Sequence, residues 1–577
     1  MFKRSGKFVV RACPGSGKTY SVAARLAWKI ENWEYKNRGI ATLSFTNVAW
    51  QEIKNKLVKE FNVNRQLGHP HFLGTIDSFV NQYIFLPFGH LVMDCKKRPI
   101  LVGEPHGSWN SAKYDKDYDG YFEFVSYGLD EKLIFPEVPG LFHFGYNKFY
   151  KKDGGESGHA KNIRKTKTKY WARGYATQRD ANYFAMTILE KYNSIAKALV
   201  NRFQMLIIDE AQDTTEIQMR IIDLLLKNGL KEIMLVGDPD QAIYEWNAAR
   251  PDLFNSKYEV WKDNSVELNE NRRSSQKICN FTSRLTKSYS FEPYKAVDKS
   301  IKDFSFSPEI RIYNENEVKV VIDEFMSICK HNGIDISKEN VAVLYRGKNF
   351  ISFIDNANEQ NRENKNSKNF APWKIGDSIT KDIVGGKYLC DKGDFKNGFK
   401  IIEKAVIKAL INKNYCTQQD IKNRVEERGF INHRLECYKI FKELPDTDMK
   451  LRDWVEQANN NFNNSNIKIT LQIEQSKGNV KISELFPKEE AVLFDKKYRL
   501  GTVHSVKGET FEAILLFLKQ KGIKGEWYKT LLANGKTTID NEELRIVYVG
   551  TTRPRKILIL AVPSEEDKKA WDERLIH

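Results

Sequence analysis

Cysteine is scarce in this 577-residue sequence, and its pattern excludes several classes of protein. The seven cysteines are scattered, their number is odd, and no two of them are separated by two residues. Neither a disulfide framework nor a zinc-knuckle or iron–sulfur spacing is therefore expected. Long apolar runs are also missing, because charged residues interrupt them, so no membrane-spanning segment is predicted. A glycine-rich turn follows the first residues too early for a signal peptide, and we expect a cytoplasmic protein.

The rest of the composition describes a large, folded and basic protein. The chain far exceeds the roughly 100–200 residues of a typical domain, which predicts three or four domains. Apolar residues make up 41% of the chain, enough for folded cores, and the charged 29% is mixed in sign, which argues against wholesale disorder. A net charge of +17 predicts a surface that attracts a polyanion.

A glycine-rich turn connects the first apolar run to a predicted helix. The segment FVVRACPGSGKTYSVAARLAWKI predicts a short strand, a turn and an amphipathic helix. Glycines allow a strained backbone whose N–H groups, together with the helix N-terminus, can cradle phosphates. Lys18 would reach the β- and γ-phosphates of ATP and the Thr19 hydroxyl would bind Mg²⁺, although Ala12 stands where the strict pattern has its first glycine. The residues predicted to bind ATP here are Ala12, Cys13, Pro14, Gly15, Ser16, Gly17, Lys18, Thr19 and Tyr20.

Two later apolar runs end in polar residues. In FQMLIIDEAQD, Asp209 and Glu210 end a buried strand, at the edge where parallel α/β sheets bind ligands. We expect Asp209 to hold Mg²⁺ and Glu210 to polarise the attacking water. In EIMLVGDPDQAIYEW, Gln241 ends the neighbouring strand and can hydrogen-bond a γ-phosphate. Tyr244 and Trp246 lie just beyond it, where aromatic faces can stack on bases.

Nine segments resemble, in the same order, the successive motifs of superfamily 1 helicases of the UvrD/Rep type. They are ACPGSGKT, SFTNVAWQEIKNKL, GTIDSF, DEAQD, VGDPDQAIYEW, LNENRRSS, VAVLYR, GTVHSVKGETF and LRIVYVGTTRPRK. The resemblance implies an α/β fold with two RecA-like P-loop motor domains, ATP between them and a largely helical accessory insertion in each. The implied ranges are 1–85 and 200–275 for the first motor domain, 86–199 for its insertion, 276–350 and 491–577 for the second motor domain, and 351–490 for its insertion.

The resemblance also assigns roles to individual residues. Arg273 and Arg553 would stabilise the γ-phosphate during its transfer. In related phosphoryl transfers such an arginine increases the rate roughly 10³–10⁵-fold. For Arg553, a surface salt bridge is the alternative. With Glu210 and Gln241 they complete the predicted catalytic set. Core packing is the alternative for two aromatic members of the predicted DNA contacts, Phe45 and Trp246. The residues expected to line a DNA strand or to couple it to ATP are Phe45, Thr46, Asn47, Thr75, Tyr244, Trp246, Thr502 and His504.

The sequence departs from the family pattern around the nucleotide base. The phosphate loop begins too near the first residue for the family's adenine-reading glutamine, and Arg272 replaces the stacking aromatic. A guanidinium plane can stack as well, so Arg272 stays a predicted ATP contact. In the GETF segment, Gly508 and Glu509 are predicted to meet ATP, with Thr510 as the alternative to Glu509 at the ribose. Base selectivity is therefore expected to be loose.

One stretch of the first insertion is strongly basic. Residues 148–173 contain nine Lys or Arg and two acids, with aromatic residues between them. Basic side chains interleaved with aromatic ones favour contact with a nucleic-acid strand, and a solvated loop is the alternative. Tyr170 or Trp171 would stack on a base. The residues proposed to meet phosphates are Lys161, Arg164, Lys165, Lys167 and Lys169.

Together these features predict an ATP-dependent helicase or translocase that moves 3′–5′ along single-stranded DNA with Mg²⁺. The short second insertion and the GET segment also resemble the helicase subunits encoded beside OLD-type nucleases, as in Gabija antiphage systems, which implies a nuclease partner. The alternative is an ATP- and DNA-sensing subunit that gates such a nuclease with little unwinding of its own. An RNA helicase is a less favoured alternative, because the motif set resembles the DNA-directed branch of the family.

Overall fold

The computed structural model divides the chain into two compact units. One contains Met1–Leu101, Lys113–Phe350 and Lys497–His577, and the other contains Val102–Ala112 and Ile351–Lys496. Among the described residues, no helix combines the length and apolarity needed to cross a bilayer. The residues that the structure describes are 4–63, 68–103, 106, 118, 121–134, 155–243, 249–286, 293–314, 317–346, 372–373, 379–410, 421, 424–425, 427–486, 497–522 and 525–575.

Most strands in the described residues belong to two sheets. In chain order the strands are β1 (Lys7–Ala12), β2 (Gly39–Ser44), β3 (Phe72–Thr75), β4 (Ile100–Leu101), β5 (Ser126–Tyr127), β6 (Leu133–Ile134), β7 (Tyr175–Ala176), β8 (Phe203–Ile208), β9 (Glu232–Gly237), β10 (Val266–Leu268), β11 (Glu270–Asn271), β12 (Lys295–Ala296), β13 (Glu309–Ile312), β14 (Val341–Tyr345), β15 (Arg499–Thr502), β16 (Phe511–Phe517) and β17 (Pro554–Val562).

Helices pack on both sheets and also form the insertions. They are α1 (Lys18–Glu31), α2 (Asn47–Phe61), α3 (Ile76–Val80), α4 (Leu86–Phe88), α5 (His90–Met93), α6 (Tyr121–Phe124), α7 (Gly158–Ala172), α8 (Gln178–Lys191), α9 (Asn193–Arg202), α10 (Glu216–Lys227), α11 (Pro251–Val260), α12 (Gln276–Ser283), α13 (Val318–His331), α14 (Ile379–Asp391), α15 (Phe395–Leu410), α16 (Phe430–Lys442), α17 (Leu451–Asn464), α18 (Ile482–Leu485), α19 (Tyr528–Ala533), α20 (Glu542–Thr551) and α21 (Glu565–Leu575).

The first sheet is parallel, and its described strands run in the order β10-β1-β9-β8-β2-β3. Its central strands are continuous apolar runs because helices cover both faces. Phe8 and Val10 of β1 pack with α1 and α2, whereas Val9 packs in the core formed with α8 and α10. The loops that follow β1, β2, β8 and β9 therefore meet at one edge of the sheet, where such sheets bind ligands.

The second sheet lies in the same unit, and its described strands are also parallel, in the order β13-β17-β16-β14-β15. Its core is formed with α12, α20 and α21, and Trp571 of α21 is buried in it. Parallel strands alternating with helices confirm the predicted α/β class. The strands of the first sheet fall within residues 1–85 and 200–275, and those of the second within 276–350 and 491–577.

The two ranges predicted as insertions, 86–199 and 351–490, are largely helical where the structure describes them. The first contains α4 to α9 and two small sheets, β4 with β7 and β5 with β6. The second makes up most of the other compact unit, in which α14 to α18 enclose a core that includes the buried Trp454. The Trp454 indole N–H donates to the carbonyl of Pro445 at 2.9 Å, so even the polar atom of this buried ring has a partner.

The basic segment of the first insertion is a helix rather than a loop from residue 158 onward. Lys167 is fully buried, and its Nζ contacts Asp180 Oδ1 at 2.7 Å and the Phe122 carbonyl at 3.0 Å. The prediction that Lys167 meets phosphates is therefore wrong, because this ammonium group stabilises the insertion from inside. The half-buried Trp171 ring packs against Phe184 and Tyr127, with ring centroids 4.7 and 5.3 Å apart, so it contributes to the core of the insertion. Residues 148–154 lie outside the described residues.

Candidate active site

The glycine-rich loop leaves β1 and enters α1 with a backbone that favours glycine at two positions. Gly15 and Gly17 have φ angles of +70° and +82°, and a Cβ at Gly15 would lie 2.6 Å from the Arg273 Cβ. The Ser16 hydroxyl donates to the Cys13 carbonyl at 2.8 Å and tightens the turn. The loop thus brings backbone N–H groups and the positive end of α1 to one point, an arrangement that binds phosphate.

Asp209 follows β8 beside this loop and has an unusual carboxylate. Its Oδ1 accepts the N–H of Glu210 at 3.0 Å, whereas its buried Oδ2 has no hydrogen-bond partner among the described residues. Burial, followed by the charge of Glu210, raises the pKa of Asp209 to about 8. A divalent cation would satisfy this oxygen, so the residues present fit Mg²⁺, which Asp209 and the Thr19 hydroxyl would hold.

Glu210 carries a negative charge in the same surroundings. Burial alone would raise its pKa, but the positive charges of Lys18 and Lys507 outweigh burial, and the pKa lies below its ordinary value. The backbone of Glu210 is left-handed, with φ at +53°, and Gln212 Nε2 donates to its Oε2 at 2.5 Å. The side chain is therefore an ionised, oriented carboxylate at the cavity wall, which can accept a proton from water.

Asp238 and Gln241 follow β9 on the other side of the loop. Lys18 Nζ lies 4.0 Å from Asp238 Oδ2, and burial raises the pKa of Asp238 to about 7. Gln241 Nε2 donates to the same Asp238 oxygen at 2.5 Å, and its Oε1 accepts a hydrogen bond from Arg553. Gln241 therefore connects the phosphate-loop side of the cleft to a residue that precedes the last strand of the second sheet.

Arg273 and Arg553 lie close enough to influence each other. Arg553 Nε donates to the Val549 carbonyl and Arg273 Nη1 to the Thr552 carbonyl, each at 3.1 Å. Burial, followed by the charge of Arg553, lowers the pKa of Arg273 to about 9, and burial lowers the pKa of Arg553. Two desolvated guanidinium groups near one another favour the binding of a multivalent anion.

A cavity of about 460 Å³ in the unit that contains both sheets is lined by most of these residues, but Asp209 and Asp238 are buried behind its wall and do not line it. Among the described residues its lining includes seven Lys or Arg and three carboxylates, so the cavity is electropositive and suits a polyphosphate. The lining residues are Gly15, Ser16, Gly17, Lys18, Thr19, Tyr20, Phe45, Thr46, Val48, Ala49, Glu52, Lys56, Glu210, Asp213, Gln241, Arg272, Arg273, His504, Ser505, Lys507, Gly508, Thr510, Arg553 and Arg555.

Five charged residues that line this cavity were not among the predicted site residues; they are Glu52, Lys56, Asp213, Lys507 and Arg555. Lys507 Nζ donates to Asp213 Oδ2 at 2.6 Å and to the Gln241 carbonyl at 3.1 Å, and so joins the two sheets. Glu52 of α2 lines the cavity, and burial raises its pKa. All five lie inside segments that resemble helicase motifs, but their orientation toward the cavity depends on tertiary packing.

The remaining predicted ATP contacts differ in their exposure and in whether they line the cavity. Tyr20 and Arg272 line the cavity with side chains that are 47% and 64% exposed, so both are open to a nucleotide base. Gly508 and Thr510 line it, whereas Glu509 does not and instead lies 3.8 Å from Arg499. The start of the loop is buried behind the cavity and does not line it; these residues are Ala12, Cys13 and Pro14.

The threonines among the predicted DNA contacts share one structural role. Thr75 and Thr502 end their strands, and Thr46 lies two residues after β2. Each caps the next helical segment, where the hydroxyl accepts the N–H three residues later, at 3.2 Å for Thr46, 3.0 Å for Thr75 and 3.3 Å for Thr502. They therefore fix the carboxyl ends of β2, β3 and β15 to the following turns.

The other predicted DNA contacts are divided among three places. Phe45 and His504 line the same cavity together with Thr46, and Asn47 is exposed at the start of α2. His504 Nε2 lies 3.2 Å from the Ile243 carbonyl, and burial, followed by the charge of Arg346, lowers the pKa of His504 to about 4. Two further predicted contacts lie outside the described residues; they are Tyr244 and Trp246.

The parallel sheet, the phosphate loop and the two strand-end carboxylates together form a P-loop nucleotide-binding site. Comparison with known proteins then narrows the class. Residues 2–98 and 144–262 match the family model of the UvrD/REP helicase N-terminal domain. The two matched segments contain all strands of the first sheet except β10.

Curated relatives point in the same direction at low identity. The chain is 24% identical over 380 residues to ATP-dependent DNA helicase Rep of Escherichia coli (strain K12), covering 62% of this chain and 52% of that protein. It is 23% identical to the Rep protein of Buchnera aphidicola subsp. Acyrthosiphon pisum, covering 96% of this chain and 92% of that protein. The chain spans about half the length of several relatives it matches, including 51% of the Rep protein of Buchnera aphidicola subsp. Schizaphis graminum. Together these matches show that the chain is similar to UvrD/Rep-type helicases, most clearly in the residues that form the first sheet.

Proposed function

We propose that this protein hydrolyses ATP to move 3′–5′ along single-stranded DNA, with the two sheets acting as RecA-like motor domains. The observation that carries the proposal is the single electropositive cavity that gathers Lys18, Glu210, Arg273 and Arg553. Four groups suited to binding and cleaving a triphosphate come from distant parts of the sequence and converge there. The net charge of +17 and the names of the relatives, which are DNA helicases, support DNA as the track.

The geometry supports a division of labour in hydrolysis. Lys18 and the loop N–H groups would hold the β- and γ-phosphates, and bound Mg²⁺ would neutralise developing charge on them. Glu210 is ionised and oriented, so it would accept a proton from the attacking water. Arg273 and Arg553 would stabilise the negative charge that spreads over the γ-phosphoryl group as its bond breaks.

Gln241 supports a link between hydrolysis and movement. Its side chain joins Asp238 on the phosphate-loop side to Arg553, and its carbonyl accepts from Lys507. Loss of the γ-phosphate would remove the anion that draws the two arginines together. The contacts of Gln241 would then change, and with them the loop that leads toward the predicted DNA-stacking residues.

Replacement of Glu210 by Gln tests the proposed chemistry. The variant should still bind ATP, because Lys18, Thr19 and Asp209 remain, but its turnover should fall roughly 10²–10⁴-fold through loss of the base. Glu216→Gln is the matched control, since Glu216 begins α10 and pairs with Arg250 at 3.7 Å outside the cavity. ATPase rates with and without single-stranded DNA, beside fluorescent-nucleotide binding, provide the measurement. Normal turnover in Glu210→Gln would refute the assignment.

Polarity is tested separately on the same protein. Stopped-flow translocation on single strands labelled at the 5′ or the 3′ end should show arrival at the 5′ end after a lag that grows with strand length. Arrival at the 3′ end would reverse the proposed direction while leaving the ATPase assignment intact.

We further propose a nuclease partner of the OLD type and a role in antiphage defence, supported by the sequence resemblance to Gabija helicase subunits. In this arrangement the motor cycle would gate the nuclease, and the isolated chain would hydrolyse ATP but unwind duplexes poorly. Purification from the native host, with and without genomic neighbours, followed by assays of assembly, unwinding and DNA cleavage, is the test. Robust unwinding by the isolated chain with no copurifying nuclease would count against the partner.

A further inference from the structure

A second cluster of reactive side chains lies inside the helical unit. Glu403 comes from α15, and His433 and Cys437 come from α16. His433 and Cys437 are fully buried, and the Glu403 side chain is 15% exposed. One ligand atom from each residue lies within 4.8 Å of the other two. A thiol, an imidazole and a carboxylate that converge at a buried point can act as the ligands of a zinc or transition-metal ion.

The distances within this cluster are close to those of a tetrahedral zinc site. His433 Nε2 lies 3.2 Å from Glu403 Oε1 and 3.9 Å from Cys437 Sγ. Zinc bonds of about 2.0–2.1 Å to N or O and 2.3 Å to S place such ligand atoms roughly 3.3 and 3.6 Å apart. His433 and Cys437 are one helical turn apart, so the backbone of α16 already aims both at one point. Only a small shift of the Glu403 side chain is needed to close the set.

The surroundings of the cluster are compatible with a bound cation. His433 Nε2 faces both other ligand atoms, and it can offer its lone pair to a cation when the ring proton is on Nδ1, which is buried and has no hydrogen-bond partner among the described residues. Arg434 Nε also lies 3.2 Å from Glu403 Oε1, but its side chain is 47% exposed. Arg434 can therefore release the carboxylate and remain in water, which removes the positive charge that opposes a metal.

We propose that Glu403, His433 and Cys437 bind one Zn²⁺ ion that ties α15 to α16, with water as the fourth ligand. The thiolate and imidazole select zinc over Mg²⁺ or Ca²⁺, which prefer oxygen. The site is separate from the ATP cavity, and the proposal does not depend on the function proposed above. The sequence did not predict this site, because His433 and Cys437 form no CxxC or zinc-knuckle spacing and Glu403 lies thirty residues before His433.

The full-length chain, stripped with a chelator and reloaded with Zn²⁺ or Co²⁺, tests the proposal directly. We expect one zinc per chain by mass spectrometry of metals. Cobalt should give both the intense thiolate-to-metal band and the visible bands of four-coordinate Co²⁺. A cobalt-loaded protein without the thiolate band would overturn the proposal without the need for any variant.

Substitutions identify the ligands. Cys437→Ser and Glu403→Gln should each weaken zinc binding by more than about 100-fold, beyond the effect typical of residues outside the ligand shell. Cys390→Ser is the matched control, because Cys390 is a buried cysteine of α14 outside this cluster and should bind zinc normally. Zinc should raise the Tm of the wild type and of the control only. If Cys437→Ser fails to fold by circular dichroism, Glu403→Gln decides. Equal zinc binding by wild type and Glu403→Gln refutes the site.

Discussion

Arg273 and Arg553 hold charges in the cleft at an energetic cost that a bound triphosphate would relieve. Burial lowers the pKa of both groups, and each side chain is fixed by a hydrogen bond to a carbonyl of the α20 end, from Val549 or Thr552. Such pre-oriented charges act mainly where negative charge develops during the reaction, because little reorganisation is then required. Their effect should therefore appear in catalysis more than in ground-state binding.

Alanine at either arginine should lower kcat by roughly 10³-fold or more, while nucleotide affinity changes far less. Steady-state ATPase assays with saturating single-stranded DNA, together with equilibrium nucleotide binding, measure the two effects. Arg311→Ala is the control, since Arg311 forms surface ion pairs with Glu309 and Glu324 in the second sheet region. Wild-type kcat in both active-site variants would contradict the proposed site.

Asp209 makes the stability of the metal-free protein depend on pH. Its pKa is about 8 in the folded protein and near the ordinary 3.8 in the unfolded chain, so the folded state binds the extra proton between these values. Stability from this group is complete below about pH 4 and is lost as pH rises toward 8. Asp209→Asn removes this titrating group. The Tm of the variant minus the Tm of the wild type should therefore increase from pH 5 to pH 8 in the absence of Mg²⁺. The variant should also lose ATPase activity. A constant difference in Tm would contradict the pKa shift.

Tyr20 and Arg272 are the described residues best placed to contact the base. Both line the cavity and are largely exposed, and neither supplies a pattern of hydrogen bonds that distinguishes adenine from guanine. We therefore expect GTP and CTP to compete with ATP, and Tyr20→Ala to weaken all three nucleotides to a similar extent. Competition binding measures this, with Tyr20→Phe as the control that keeps the ring. A strong preference for ATP would mean that another residue reads the base.

At the level of elements, α7 places lysines that are close together in the sequence in different environments. Lys161, Lys165 and Lys169 are exposed at four-residue steps on one face, whereas Lys167 points inward to Asp180. The sequence predicted a basic segment, but the inward lysine depends on an acid in α8 thirteen residues later. Charge composition alone could not distinguish a phosphate contact from an internal ion pair.

Reversal of the three exposed lysines to Glu should weaken binding to DNA of every sequence to a similar extent. The dependence of affinity on salt should also flatten, by roughly 0.7–0.9 in the log–log slope for each lost phosphate contact. Lys167→Ala should behave differently and destabilise the fold by about 3–5 kcal/mol, because it leaves Asp180 buried without its partner. DNA titrations at several salt concentrations and thermal unfolding separate the two effects. Unchanged affinity and slope would favour the solvated-face alternative.

The central strands and the loops after them were predictable because their signals are local. Apolar runs such as Phe8–Val10 and Met205–Ile208 can only be buried strands once a glycine-rich turn or acidic pair follows them. The short strands β10 and β13 carry no such signal, since they form only by pairing with a neighbour. The sequence also could not predict contacts across the cleft, such as that of Lys507 with Asp213, because they join residues nearly three hundred positions apart.

For the whole molecule, the segment after β9 is the main junction between the two sheets. Residues 240–243 receive hydrogen bonds from widely separated parts of the chain that surround the second sheet. A change of the second sheet relative to the nucleotide would therefore alter the contacts of this segment, which in the sequence is followed directly by the predicted stacking residues. The donors are His504, Lys507, Thr538, Arg545 and Arg553.

His504 offers the most selective test of this junction. It contacts the Ile243 carbonyl rather than the catalytic carboxylates, and its pKa of about 4 keeps the ring neutral at working pH. His504→Ala should therefore reduce the stimulation of ATPase activity by single-stranded DNA more than the basal rate. His504→Gln keeps an N–H donor and should recover part of the stimulation, and the wild-type rate should show no ionisation of His504 between pH 6 and 9. ATPase titrations with DNA at several pH values give all three results. An equal loss of basal and stimulated rates, with no recovery in His504→Gln, would show that His504 serves the nucleotide site and not the coupling between the two sheets.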